Sequence, residues 1–193
     1  VHPGHRKPDY LDPRIEFAAR GGRINTDFID NSAGVDTSDR EVNLKILLGL
    51  AIERGELTTD ERNALMDAST DDVVRRVLYD NYLQAQILSQ EVAVAAERNE
   101  ACEDLMLQLE AEGELDRLVE FLPTSDEMAE RRGRGEGLTR PEIALLVAYS
   151  KRSIKRDLLE ADLPDAEYLE QDLARYFPET IVDRFRPMLA EHP

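Results

Sequence analysis

Thr139-Arg140-Pro141-Glu142-Ile143-Ala144-Leu145-Leu146-Val147-Ala148-Tyr149-Ser150-Lys151-Arg152-Ser153-Ile154-Lys155-Arg156-Asp157-Leu158 reads as an α-helix from its first residue. Thr139 and Glu142 have the spacing of a capping box. Pro141 sits in the first turn, where its missing N–H costs nothing. Leu145, Leu146, Tyr149, Ile154 and Leu158 then recur with helical rhythm. Similar signals continue upstream. Thr58 and Glu61 form a second capping box, and Thr70-Asp71-Asp72 opens a run through Val73, Val74, Val77, Leu78, Leu83, Ile87 and Leu88. Val92 to Glu112 keeps the pattern with a break at Asn99 and a stop at Gly113. Ser125 is placed as the cap of a short polar helix that runs into a Gly133–Gly137 linker, and Pro164 and Pro178 punctuate two further helices. No strand-period alternation follows residue 50, so the expected fold is mainly α.

The first fifty residues have a different texture. Pro3-Gly4, Pro8, Pro13, Gly21-Gly22, Asn25, Asp30-Asn31 and Gly34 interrupt them. Arg14–Arg20 is expected to be helical and to end at Gly21-Gly22, and Asp39–Leu50 carries a second helical stripe. Gly49 and Gly55 place a boundary near residues 49–57. A part with so few apolar residues cannot build a core alone, so something missing from the chain is expected to cover it. Of the net charge of −17, residues 1–50 hold only −1.

An excess of 41 acidic over 24 basic residues disfavours nucleic acid and anionic membrane surfaces as partners. No apolar run approaches the ~20 residues needed to span a bilayer. The single cysteine, Cys102, argues for a reducing compartment, here the cytoplasm. Val1 in place of Met suggests a piece of something longer. His2, His5 and His192 lie near the ends and form no metal set with Cys102, so no metal is expected. The acidic pairs Asp71-Asp72 and Glu110/Glu112 read as cap and solvated face, Arg131, Arg132 and Arg134 as an exposed charged linker, and Tyr79 and Tyr82 as core or core-edge aromatics. No Gly-rich phosphate loop is present. Asn25 to Glu41 stands apart, because it packs amide and hydroxyl side chains around a turn ahead of a helix that Ser38 or Asp36 would cap. That arrangement suits a carboxylate or a nucleotide; the simpler reading of the same residues is a well-capped loop.

Gly21-Gly22-Arg23-Ile24-Asn25-Thr26-Asp27 through Leu48 closely resembles a signature of the large NAD-specific bacterial glutamate dehydrogenases. Leu57-Thr58 with Arg62-Asn63, Asp80-Asn81-Tyr82, Gly137–Glu142 with Ala148–Lys151, Asp162–Asp165 and Tyr176-Phe177-Pro178 agree in the same order, so that the resemblance spans residues 14–187. It implies that residues 1–50 are the C-terminal edge of the NAD-binding catalytic domain, a short loop-rich remnant of an α/β fold, and that residues 51–193 are an α-helical C-terminal domain. Asn31-Ser32-Ala33-Gly34-Val35-Asp36-Thr37-Ser38-Asp39-Arg40-Glu41 is also similar to the Asn-Ala-Gly-Gly-Val-x-x-Ser-x-x-Glu motif of the small hexameric glutamate dehydrogenases. By that likeness Asn31 contacts the NAD ribose–nicotinamide region and Ser38 hydrogen-bonds the glutamate α-carboxylate. Ser32 and Ala33 depart from the motif, and Arg40 stands where the large family usually shows His.

The implied reaction is oxidative deamination of L-glutamate to 2-oxoglutarate and ammonia with NAD. The family's catalytic lysine and aspartate and its phosphate-binding turn have no counterpart in this segment, so the chain alone is expected to be inactive. The implied partners are L-glutamate or 2-oxoglutarate, the rest of the same polypeptide, and further copies in a homo-oligomer. The alternative is an acidic α-helical interaction or regulatory module without catalysis.

Overall fold

The computed structural model describes residues 11–163, 166–189 and 191–192. His2 and His5, with Pro3, Gly4, Pro8 and Pro164, lie outside the described residues. The helices in chain order are α1 (Leu11–Ala19), α2 (Asp27–Asp30), α3 (Ser32–Glu53), α4 (Thr59–Ala93), α5 (Asn99–Ala111), α6 (Ser125–Arg134), α7 (Arg140–Glu160), α8 (Glu170–Tyr176) and α9 (Glu179–Leu189), with a 3-10 turn at Glu167–Leu169. No strand forms among the described residues, and the fold is mainly α. The chain divides into two compact units. One comprises the described residues up to Asp30 with Leu83–Arg156, and the other comprises Asn31–Tyr82 with the described residues from Asp157 onward.

The first unit is organised by α7. Pro141 to Leu146 are all buried, and Ile143, Ala144, Leu145 and Leu146 join Leu88, Met106, Leu109, Leu122 and Met128 in one apolar cluster. Glu142 is fully buried with them. A buried carboxylate needs every lone pair satisfied. Arg131 supplies a bidentate pair at 2.9 and 2.9 Å, and the Thr139 N–H and hydroxyl donate at 2.6 and 2.7 Å. Burial works against the charge of Arg131, yet hydrogen bonding and attraction to Glu142 outweigh it and raise its pKa. Arg132 pairs with Glu103, and Arg134 lies 2.9 Å from Glu136, so the arginines expected in an exposed linker are ion-paired members of α6. The cap of α6 is Thr124, in a complete box with Glu127, one residue before the expected Ser125. Gly137 has a steric reason. A Cβ there would fall 2.3 Å from the backbone carbon of Ala95.

The second unit is built on α3. Leu44, Leu47, Leu48 and Ala51 meet Phe177, Ile181, Val182, Phe185, Met188 and Leu189, which belong to α9 and the turn before it. The expectation that only a missing part could cover this region is corrected for α3, whose apolar side is covered by the end of the same chain. The α9 helix is kinked at Phe185 (φ −119°, ψ 18°), two residues before Pro187, whose ring and missing N–H break the helical ladder. The α3 helix ends at Gly55 (φ 72°), where the N–H groups of Gly55 and Glu56 return to Ile52 and Ala51. Thr58 and Glu61 then start α4, each accepting from the other's backbone. Because α4 runs unbroken to Ala93, Thr70-Asp71-Asp72 lies inside it, with the Thr70 hydroxyl turned back to the Met66 carbonyl. Tyr79 and Tyr82 are 60% and 62% exposed, not core aromatics.

Candidate functional site

The polar block Asn25–Ser38 is mostly helical. A helix spans Asp27–Asp30, and α3 begins at Ser32, seven residues before the expected Asp39. Asp36 and Ser38 therefore cap nothing. They sit within the second turn of α3, past the helix start. Ser38 donates to the Gly34 carbonyl at 3.1 Å and Thr37 to the Ala33 carbonyl at 2.7 Å, so both hydroxyls satisfy themselves inside the helix. Tertiary contacts override the modest helix propensity of Gly34, Asp36 and Thr37.

Those contacts lie on one face of α3. Arg40 is buried, with its Nε 3.2 Å from Asp36 Oδ1, Nη1 donating to the Tyr176 carbonyl at 2.9 Å, and Nη2 paired with Asp80. Its guanidinium lies 4.7 Å from the centre of the Tyr176 ring. The Tyr176 hydroxyl donates to Asp39 at 2.6 Å and accepts from Asn43 at 3.2 Å. Ser32 donates to Asn81. Burial raises the pKa of Asp36 against the lowering effect of Arg40, and the Asp80 carboxylate adds to the rise. Burial and then the hydrogen bond to Asp39 push the Tyr176 phenol up to about 12. Arg40 thus pins α3 to α4 and to the end of α8. Sequence reasoning did not find this role. The signal was present all the same, since Asp80-Asn81 and Tyr176 belong to the separate stretches that carried the resemblance, and here they meet on one helix.

The opposite face is open. Asn31, Gly34, Val35, Ser38 and Val42 are exposed, Val35 by 67%. The Asn31 side chain caps no N–H. It lies over Gly34, where a Cβ would stand 3.0 Å from its Oδ1. Asn31 and Ser38 are seven residues apart, two turns of helix, and so share this face. Asn31 offers an amide with donors and an acceptor. Ser38 offers two lone pairs at once, and its proton when the hydroxyl turns away from Gly34. Among the described residues no cluster of His, Cys, Asp and Glu is arranged to hold a metal ion.

The family model described as bacterial NAD-glutamate dehydrogenase, catalytic domain, matches residues 11–91, and the one described as glutamate dehydrogenase, C-terminal, matches residues 135–193. The chain belongs to the bacterial NAD-glutamate dehydrogenase family. It is 46% identical over 179 residues to an NAD-specific glutamate dehydrogenase of Pseudomonas aeruginosa, 41% to one of Halomonas elongata and 42% to one of Mycobacterium tuberculosis. Each alignment covers 93% of this chain and 11% of the relative. In this glutamate dehydrogenase segment, the two residues that the small-enzyme motif singles out, Asn31 and Ser38, lie on the exposed face of α3, and Arg40 lies on the buried one.

Proposed function

We propose that this chain is part of an enzyme that oxidatively deaminates L-glutamate to 2-oxoglutarate and ammonia with NAD, and that the open face of α3 is its contribution to the active site. On this reading Asn31 contacts the ribose–nicotinamide region of NAD, and Ser38 donates a hydrogen bond to the α-carboxylate of glutamate. Residues 1–50 form the edge of the NAD-binding catalytic domain, residues 51–193 form the helical C-terminal domain, and the parent is a cytoplasmic homo-oligomer. The observation that carries the reading is the division of α3. Its Arg40 face is committed to packing, whereas the face with Asn31 and Ser38 is exposed and has the donors and acceptors that a carboxylate and a nucleotide require.

The segment positions and binds, and the hydride and proton transfers fall to groups outside it. The test is Ser38→Ala in the complete polypeptide. A hydrogen bond to a charged group is worth about 1.5–3 kcal/mol, so KM for glutamate should rise roughly ten- to a hundredfold. KM for NAD should stay within about twofold. Asn31→Ala should do the reverse. An unchanged glutamate KM in the serine variant would remove the basis for its role, as would measurable NAD reduction by the 193-residue chain alone for the assignment of catalysis elsewhere.

A further inference from the structure

The first unit contains an open groove of about 990 Å³ that owes nothing to Asn31 or Ser38. Its walls come from Gly22–Asn25 and Gly137–Arg140, more than a hundred residues apart in sequence, completed by α4 and α6. Four of its lining residues are arginines, Arg23, Arg131, Arg134 and Arg140, against one acid, Glu136. Two of these cations are neutralised locally, Arg131 by Glu142 and Arg134 by Glu136. The other two are not. Arg140 is held by neutral acceptors only, its Nε donating to Asn25 Oδ1 at 2.6 Å, Nη1 to Ser89 Oγ at 2.9 Å and Nη2 to the Ala85 carbonyl at 3.2 Å. Arg23 is exposed and makes no ion pair or side-chain hydrogen bond among the described residues.

In a chain of 41 acids and 24 bases, an arginine meets a carboxylate by default. The acids closest in sequence to Arg23 are engaged elsewhere, Asp27 by Arg14, Glu16 by Arg20 and Asp30 by the Asn25 amide at 2.9 Å. Neutral acceptors fix the orientation of Arg140 without cancelling its charge, and a cation fixed in advance binds an anion with little further loss of freedom. Low-dielectric walls concentrate the field of such charges in a groove. Pairs of guanidinium groups suit tetrahedral oxyanions, which they hold with forked hydrogen bonds.

We propose that this groove binds a small molecule bearing phosphate groups, with Arg23 and Arg140 as its cationic contacts. The space exceeds what a single carboxylate fills and is of the size that holds nucleotide-scale ligands. The inference does not depend on the role given to the α3 face.

The experiment is titration calorimetry on the purified chain with inorganic phosphate, inorganic pyrophosphate and, as a carboxylate control, L-glutamate. Pyrophosphate should bind more tightly than phosphate, and L-glutamate more weakly than either. Arg23→Gln changes an exposed side chain without partners, so its circular dichroism should match the parent chain while pyrophosphate affinity falls about tenfold. Raising the salt from low to about physiological strength should weaken binding further. Absence of pyrophosphate binding, an affinity unmoved by Arg23→Gln, or glutamate binding as tightly as pyrophosphate would each overturn the proposal.

Discussion

Changing Arg131 to methionine leaves the Glu142 carboxylate facing an apolar side chain. The Glu142 side chain is 1% exposed and that of Arg131 is 20% exposed, so the pair is shielded from the solvent that makes surface ion pairs nearly neutral. Removing one partner of a buried pair costs about 3–5 kcal/mol, since the remaining charge has no route back to water. Thr139 keeps its two hydrogen bonds to Glu142, which points to the lower end, about 3 kcal/mol. Native-state hydrogen exchange of the α6 and α7 amides reads this directly, and roughly a hundredfold faster exchange is expected there. Glu142→Gln keeps an acceptor for Thr139 and removes the charge, so the double variant should recover more than half of the loss. Exchange in Arg131→Met within about threefold of the parent, or a double variant no better than the single, would refute the reasoning.

Arg40→Met should release α3 from Asp80 and Tyr176, at a cost of about 1–2 kcal/mol because the Asp80 side chain is 45% exposed, seen as faster exchange of the α3 amides. Gly137→Ala drives a methyl into the Ala95 and Ala96 backbone, which cannot swing aside like a side chain, and a loss of about 1–3 kcal/mol is expected by thermal melting. Because Tyr176 has its pKa raised, its neutral form favours the folded state. That contribution is lost as pH climbs from the ordinary phenol value of 10.0 through about 12, so Tyr176→Phe should show a shallower loss of stability across that window.

The helix starts were legible because a capping box is a local device. Thr58 with Glu61 and Thr139 with Glu142 need only each other; in both pairs the glutamate accepts from the threonine N–H, and in the first the threonine hydroxyl accepts in return. The middle of α4 was not legible, since Thr70-Asp71-Asp72 looks like a start to any reading confined to neighbours, and nothing local reports that the helix is already under way. The α3 start was missed for the opposite reason. Its first turns are held by Asp80, Asn81 and Tyr176, which lie 40 to 136 residues from their partners. Of the candidate site, the shared face of Asn31 and Ser38 follows from their spacing once the helix is known. The packing role of Arg40 does not, because an arginine in sequence reads as surface until its acceptors are located.

Since the α3 helix turns Arg40 inward and Asn31 and Ser38 outward, two kinds of error in it should be separable by experiment. A change on the Arg40 side should damage the fold. Val35 and Ser38 make so few contacts inside the chain that replacing them should leave folding intact. If Ser38 has the role proposed for it, a change there would therefore leave a stable, fully accumulated chain whose fault lies in ligand binding alone.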